Sequence, residues 1–140
     1  MKPSIVYWTG SGNTQIIAEA IQEAIEDLGM QCESNYVSDV TADDVKDSDI
    51  FFLGCPSMSG EAVEEYEFRP FLDDLLPYVA GKKVVLFGSY DWGDGEWMVS
   101  WNQEMIDSGA EVLDRYQIQW EPNDEQLANV KEKVTSYFKM

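Results

Sequence analysis

The amino-acid sequence predicts an α/β fold in which a doubly wound parallel sheet of five strands carries helices on both faces. Short apolar runs alternate with helical patterns five times, the third and fourth runs are continuously apolar, and no repeat or linker interrupts the order. Continuous apolar runs are typical of central parallel strands, and right-handed crossovers place helices on both faces of such a sheet. We therefore expect residues 1–140 to form a single domain.

The first part of the chain predicts two strands and two helices. Residues 4–8 (SIVYW) form an apolar run typical of a buried strand. Apolar residues then recur at helical spacing up to Gly29, which fits a C-terminal stop. Residues 31–37 (QCESNYV) alternate as a half-exposed edge strand does. The sequence TADD at 41–44 predicts a capping box that opens a short helix.

The middle of the chain contains the two central strands and one helix between them. The continuous apolar runs are residues 49–55 (DIFFLGC) and residues 82–89 (KKVVLFGS). Pro70 predicts the start of the third helix, because proline fits the first helical turn, and Pro77 predicts its end.

The last part of the chain predicts two more helices around an edge strand. A helical stripe that begins at Trp97 ends at Gly109, and Trp97 is expected in the core. Residues 110–120 (AEVLDRYQIQW) form a more polar strand, suited to the other edge of the sheet. Asn123 with Gln126 predicts the cap of the final helix.

The chain is strongly acidic, with nine Lys and Arg residues against 27 Asp and Glu residues and a formal net charge of −18. This charge repels nucleic acid and anionic membrane and attracts proteins with basic faces, although an acidic surface also serves solubility alone. The chain has no histidine, the usual general base at neutral pH and the commonest metal ligand. We therefore expect no catalytic residue and no metal site.

The two cysteines and the apolar runs indicate the compartment. Cys32 and Cys55 are too far apart in sequence for a metal or redox motif, and Cys55 is expected to be a buried thiol. The N-terminus lacks a signal pattern, and no apolar run approaches the roughly 18 residues of a membrane span. The sequence thus predicts a cytoplasmic, soluble protein.

Three unusual loops follow the predicted strands, at residues 9–14, 56–67 and 90–96. In doubly wound sheets, ligands bind outside the carboxyl ends of the strands. The first loop (TGSGNT) opens a helix, so its amides and the positive end of the helix dipole can face an anion. No Lys or Arg lies between Lys2 and Lys46, so that anion would be held by neutral donors. Taken alone, the pattern also fits a ligand-free turn.

The other two loops contain side chains that could enclose a planar ring. Trp92 lies between Asp91 and Gly93 without an amphipathic pattern to bury it, which favours a stacking role at a ligand site. Met58 either fills a gap in the packing or faces the same ring from the middle loop. A phosphate site at one end and a planar slot at the other fit a mononucleotide.

Three segments together, IVYWTGSGNT, LGCPSMSGE and LFGSYDWGDGEWM, resemble the flavin-binding segments of short-chain flavodoxins. The resemblance extends from the first strand to the EPND that precedes the last helix. It implies the flavodoxin-like strand order 2-1-3-4-5, a non-covalently bound FMN, and one-electron transfer between redox proteins.

The resemblance also implies which residues bind the cofactor. Those at the phosphate would be Thr9, Gly10, Ser11, Gly12, Asn13 and Thr14. Those on one side of the isoalloxazine would be Pro56, Ser57, Met58, Ser59, Gly60 and Glu61. Those on the other side would be Ser89, Tyr90, Asp91 and Trp92, with Trp120 near the ribityl chain or the ring rim.

The chain departs from the family pattern at two positions. The glycine that usually follows the methionine is replaced by Ser59, with Gly60 after it, and Asp91 stands where glycine is frequent. In the family, a turn at the first of these positions is the redox switch. We therefore expect a turn from Met58 to Glu61, with its middle peptide between Ser59 and Gly60.

The predicted function is that of a low-potential one-electron carrier, not an enzyme, whose FMN shuttles between semiquinone and hydroquinone. The alternative is an FMN-dependent reductase of a small substrate, but the three loops contain no basic residue to receive a nicotinamide phosphate. A signalling domain of the same topology would need acids after the first strand, where Thr9 and Gly10 stand.

The predicted partners are redox proteins with basic faces, both reductases and acceptors, and the protein itself is expected to be a monomer. An acidic segment beside the proposed flavin edge is expected to dock them, unless it is only a solvated helical face. Its acids are Glu61, Glu64, Glu65, Glu67, Asp73 and Asp74.

Overall fold

Five strands alternate with five helices in the computed structural model, which describes residues 1–58, 61–91 and 93–138. The strands are β1 (Pro3–Tyr7), β2 (Ser34–Tyr36), β3 (Ile50–Gly54), β4 (Lys83–Tyr90) and β5 (Glu111–Gln119). The helices are α1 (Asn13–Asp27), α2 (Ala42–Val45), α3 (Phe68–Leu75), α4 (Glu96–Asp107) and α5 (Asp124–Tyr137). The predicted cofactor residues Ser59, Gly60 and Trp92 lie outside the described residues.

All four strand pairings are parallel, and the strand order is β2-β1-β3-β4-β5. This confirms the predicted fold class and strand order, with β2 and β5 at the edges. In the pairing register, Tyr7 of β1 lies beside Gly54 of β3, which lies beside Phe87 of β4. The loops that follow β1, β3 and β4 therefore leave the sheet side by side.

The sheet is buried between two apolar layers, because successive side chains of a strand point to opposite faces. On one face, Phe51 and Leu53 pack in a cluster that includes the apolar residues of α3 and α4. On the other face, Ile50 and Phe52 pack in a cluster that includes those of α1 and α5. Trp97 is fully buried in the first cluster, as predicted.

The predicted helix starts at the short helix and the last helix are confirmed by reciprocal capping bonds. Thr41 and Asp44 form a capping box at α2, and Asn123 and Gln126 form one at α5. These caps were predictable because they depend on residues three positions apart.

Several element boundaries differ from the predicted ones, and three of the differences affect β2, the first loop and α3. β2 spans only the three residues Ser34–Tyr36, over which it pairs with β1. β1 ends at Tyr7, so Trp8 belongs to the loop that follows. α3 begins at Phe68 instead of Pro70, which is tolerated because the first amides of a helix have no intrahelical partner.

No helix among the described residues is both long enough and apolar enough to cross a membrane. The cytoplasmic location and the monomeric state stay predictions.

Candidate functional site

The loops after β1, β3 and β4 converge on one cavity of about 420 Å³ at the carboxyl edge of the sheet. Nine of the predicted cofactor residues line this cavity: Gly10, Ser11, Pro56, Ser57, Met58, Glu61, Ser89, Tyr90 and Asp91. Trp8 and Gly93, which sequence reasoning did not assign to the site, line it as well. The volume lies within the usual range for small-molecule sites, which is roughly 300 to 1,000 Å³.

The first loop turns the chain into α1 through a left-handed glycine. Gly12 has a φ of 97° and directly precedes the helix, a conformation that glycine adopts without strain. The Gly12 amide donates to Thr9 Oγ1 at 3.0 Å, and the Asn13 amide donates to Ser11 Oγ at 3.5 Å. A hydroxyl that accepts one hydrogen bond still has its own proton to donate, so both side chains can also bind an anion.

Thr14 has a different environment from the other hydroxyl residues of this loop. Its side chain is fully buried, and its Oγ1 lies 3.2 Å from Ser89 Oγ and accepts the Ser89 amide at 3.3 Å. The residue therefore joins the start of α1 to the end of β4. Its predicted role at a phosphate stays a prediction, beside this structural bond.

Backbone hydrogen bonds tie the start of the middle loop to β4 and join its residues to one another. The Ser57 amide donates to the Ser89 carbonyl at 3.0 Å, which ties this loop to β4. The Glu61 amide donates to the Met58 carbonyl at 2.9 Å, and the Met58 amide donates to the Ala62 carbonyl at 3.1 Å. The first of these two bonds closes four residues, as the predicted turn requires.

Glu61 holds a carboxylate oxygen in an unusual place. Its backbone φ is 50°, and its Oε1 is buried without a hydrogen-bond partner among the described residues. The carboxylate lies against Gly93, where any Cβ atom would overlap with it. Buried polar atoms are nearly always paired, and this oxygen is available to accept a hydrogen bond from a ligand in the cavity that Glu61 lines.

The third loop brings an aromatic wall to the cavity. The half-buried Tyr90 ring packs on Trp97, with 5.5 Å between the ring centroids. The Tyr90 carbonyl accepts the Trp120 amide at 2.9 Å, so the backbone after β5 reaches this loop. Trp120 has a φ of 63° and an exposed fraction of 51%. Its side chain is not among those that line the cavity, and its predicted cofactor contact stays a prediction.

Trp8 was missed because it continues the apolar run of β1 and was counted with the strand. Its side chain instead lines the cavity, and its indole Nε1–H donates to Glu67 Oε1 at 3.1 Å. The sequence signal that could have found it is the position of a large aromatic side chain directly before a glycine-containing loop.

The charge around the cavity is negative or neutral. Among the described residues that line it, none is Lys or Arg, whereas Glu61 and Asp91 are acids. The nearest guanidinium in sequence, that of Arg69, pairs with Asp73 at 2.7 Å and with Glu104 at 2.8 Å. This agrees with the expectation that an anion here is held by neutral donors.

The acidic segment from 61 to 74 contains one buried acid, Glu64, whereas Glu65, Glu67, Asp73 and Asp74 are exposed. Glu64 is 5% exposed, and its carboxylate accepts the amides of Tyr66, Glu67 and Phe68 at 2.7 to 2.8 Å. Glu64 therefore caps the start of α3, and the prediction that Glu64 docks partners is wrong. The sequence did not show this because the burial of Glu64 depends on the amides that surround its carboxylate in the folded chain.

Both cysteines are buried free thiols, as expected for Cys55. Burial raises the pKa of Cys32 to about 12 and likewise raises the pKa of Cys55 to about 12. Neither side chain lines the cavity.

Comparison with known proteins places the chain among sequences of one family. The flavodoxin family model matches residues 5–132. A flavodoxin of Megasphaera elsdenii is 48% identical over 109 residues, which cover 78% of this chain and 80% of the relative. A flavodoxin of Clostridium beijerinckii is 44% identical over 110 residues, which cover 79% of this chain and 80% of the relative. The solution structure of two-electron reduced Megasphaera elsdenii flavodoxin matches with a TM-score of 0.87 and 40% identity, covering 96% of this chain and 98% of that one.

Proposed function

This chain belongs to the flavodoxin family, and from that premise we propose that it carries single electrons between redox proteins on non-covalently bound FMN. Electron transport with FMN as cofactor is the common property of the family. The finer proposal is that the working couple lies between semiquinone and hydroquinone at low potential. The observation that carries it is the convergence of three loops on one cavity, which is lined by Gly10 and Ser11 just before α1 and by Glu61, whose buried Oε1 has no hydrogen-bond partner among the described residues.

The residues that are present fit both polar ends of FMN. The phosphate would meet the first amides of α1 and the hydroxyls of Thr9 and Ser11, which lie beside the positive end of the helix dipole. Glu61 Oε1 would accept the imide N–H of the flavin, which supplies the donor that this buried oxygen lacks. Ser57, Met58, Ser89 and Tyr90 would line the space between these ends.

The flavin supplies the redox chemistry when it is bound, and the protein sets the potential at which it operates. Glu61 and Asp91 place carboxylates at the cavity, so a reduced flavin that carries negative charge is disfavoured there. The half-buried Tyr90 ring and Met58 exclude water and strengthen this repulsion. Both effects lower the potential of the second electron.

The partners that we propose are redox proteins with basic faces. The support is the net charge of −18 and the position of two exposed acids, Asp91, which lines the cavity, and Asp94, which follows the lining residue Gly93. The buried Glu64 contributes to the fold instead of to this surface.

Anaerobic reductive titration of the purified holoprotein tests the proposal. We expect a yellow protein that passes through a long-lived blue one-electron state before it bleaches. Direct bleaching without that state, together with rapid reduction by a nicotinamide nucleotide, would instead identify a reductase. A protein that binds no FMN would remove the proposed cofactor site altogether.

A further inference from the structure

The Trp8 side chain contacts the first loop and the cavity at the same time. Its backbone amide donates to the Gly54 carbonyl at 2.9 Å, which fixes the residue at the carboxyl edge of the sheet. Its ring packs over Gly10, where a Cβ atom would come within 3.2 Å of Trp8 Cη2. Because the ring also lines the cavity, its orientation helps to determine the shape of the site.

Glu67 holds this ring from outside the cavity. Its Oε1 accepts the Trp8 indole Nε1–H at 3.1 Å and the Tyr36 hydroxyl at 3.4 Å. Burial and the neighbouring Glu67 raise the pKa of Tyr36 to about 12, so the hydroxyl keeps its proton at neutral pH. Hydrogen bonds to a carboxylate are stronger than neutral ones and hold a donor in a defined direction.

Glu67 is itself fixed by the cap of α3. It directly precedes this helix, and its amide donates to Glu64 Oε2 at 2.8 Å. The Glu64 amide in turn donates to Cys55 Sγ at 3.2 Å, at the end of β3. A continuous chain of bonds therefore runs from the central strand through two acids to the Trp8 ring.

We infer that Trp8 contacts FMN as a wall of the cofactor site and that Glu67 is a positioning residue that holds the indole for this contact. The inference rests on the proposed function, because FMN must occupy this cavity. A ring that is already oriented before binding loses less conformational freedom when the ligand arrives, and this favours affinity. Glu67 then contributes to cofactor binding, although the sequence pattern placed it among the partner-docking acids.

Titration of the apoprotein with FMN separates this role from a simple charge effect. Glu67→Gln removes the charge but keeps an oxygen acceptor, whereas Glu67→Leu removes both. We expect Glu67→Leu to bind FMN about tenfold more weakly than Glu67→Gln, as the loss of a hydrogen bond to the indole implies. Glu65→Gln, a change at an exposed acid two positions earlier, measures the charge effect alone.

A double-mutant cycle tests whether Glu67 acts through Trp8. Trp8→Phe keeps an aromatic ring but removes the N–H donor, so Glu67→Leu should cause no additional loss of FMN affinity in that background. Additive losses, or equal affinities of the Leu and Gln variants, would overturn the inference. Circular dichroism and thermal unfolding of each apoprotein show whether a variant has lost its fold. If Glu67→Leu has lost its fold, the FMN titration of Glu67→Gln, alone and in the Trp8→Phe background, still tests the inference.

The indole N–H resonance of Trp8 gives a readout that does not depend on affinity. In an ¹⁵N-labelled apoprotein, the cross-peak that disappears in Trp8→Phe is that of Trp8. We expect this peak to shift in Glu67→Leu much more than in Glu67→Gln, and to shift again when FMN is added to the wild type. If FMN binds but the Trp8 peak does not shift, the proposed contact between Trp8 and FMN is overturned and the proposed function is not. If the wild type fails to bind FMN, the proposed function is overturned.

Discussion

Ser11 and Thr14 stand three positions apart at the start of α1, yet their hydroxyls have different environments. Ser11 is exposed and lines the cavity, whereas Thr14 is fully buried and bonded to Ser89. A hydroxyl type that looks equivalent in the sequence is therefore exposed at the cavity in one case and bonded within the fold in the other.

This contrast predicts that alanine substitutions at Ser11 and Thr14 affect two different quantities, cofactor affinity and protein stability. Ser11→Ala should weaken FMN binding by roughly 1 to 3 kcal/mol, the cost of losing a charge-assisted bond, without changing the stability of the apoprotein. Thr14→Ala should lower the free energy of unfolding of the apoprotein by about 1 to 3 kcal/mol, because it leaves the buried Ser89 groups without a partner. Calorimetric FMN titration and urea unfolding of both variants measure the two effects, and identical profiles would contradict the contrast.

Trp120 occupies a backbone conformation that is unfavourable for a large side chain. Trp120 has a φ of 63°. Asparagine tolerates this region because its short polar side chain can hydrogen-bond locally, whereas most other residues with a Cβ atom are strained there by about 1 to 2 kcal/mol. We expect Trp120→Asn to be more stable than Trp120→Ala by about 1 kcal/mol. Both variants lose the indole, so the comparison isolates the backbone term, and equal urea midpoints would show that this φ carries no strain.

At the scale of elements, α3 begins where a buried acid satisfies its first amides. Glu64 accepts three amides of this segment, so the helix starts two residues before the proline that predicted it. The same arrangement fixes the middle loop, because the Glu64 amide is bonded to Cys55 at the end of β3. The start of α3 and the position of the middle loop therefore depend on one residue, through its carboxylate and its backbone amide respectively.

A conservative change at Glu64 should consequently be costly. Glu64→Gln keeps the shape of the side chain but replaces one acceptor oxygen with a donor that faces buried amides. We expect the free energy of unfolding to fall by about 1 to 3 kcal/mol. The matched change Glu65→Gln, at the exposed neighbour, should stay within about 0.5 kcal/mol of the wild type in urea unfolding. If Glu64→Gln and Glu65→Gln lowered the free energy of unfolding equally, the hydrogen bonds to the Glu64 carboxylate would contribute nothing to stability.

At the scale of the whole molecule, the two edges of the sheet carry different mixtures of charge. The amino edge has Lys2 before β1 and Lys83 at the start of β4, together with the acids Asp49 and Glu111, whereas no Lys or Arg is among the described residues that line the cavity at the carboxyl edge. The acids Asp91 and Asp94 follow β4 at the carboxyl edge, beside the cavity. A basic partner is therefore attracted toward the edge at which the flavin would be reached.

This asymmetry predicts a salt dependence of electron transfer. The rate of reduction of a basic acceptor, such as cytochrome c, should fall steeply as the ionic strength rises through about 0.1 M, where the screening length is about 10 Å. Reduction of an uncharged quinone serves as the control and should stay nearly constant. A flat rate for cytochrome c in stopped-flow measurements would rule out electrostatic docking.

The two buried thiols predict a decline of stability at alkaline pH. Burial raises the pKa of Cys32 and of Cys55 from 9.0 to about 12. Above about pH 9 the unfolded chain releases these protons while the folded chain retains them, so their contribution is complete below pH 9 and is lost toward pH 12. Each thiol should lower the free energy of unfolding by about 1.4 kcal/mol per pH unit in that window. Urea unfolding from pH 8 to 11 measures the slope, and a Cys32→Ala, Cys55→Ala variant should reduce it between pH 9 and 10, because above pH 10 the raised pKa of partly buried tyrosines such as Tyr36 also contributes to the slope.

The sequence alone determined the order and type of the elements, the fold class and the three loops that form the site. These features depend on local chemistry: apolar periodicity separates strands from helices, and capping residues act over three positions, as at Asn123 and Gln126. The motif of each loop is likewise a short run of neighbouring residues. Its place in the site follows from the parallel register, which brings the carboxyl ends of β1, β3 and β4 together.

Only the tertiary structure decided which side chains of these loops meet. The bond between Trp8 and Glu67 joins residues 59 positions apart, and the bond between Thr14 and Ser89 joins residues 75 positions apart. The burial of Glu64, between exposed or partly exposed acids of the same type, depends on the amides that surround it in space. Local sequence carries no record of such pairings, because the free energy of a hydrogen bond depends on where its partner lies after the chain has folded.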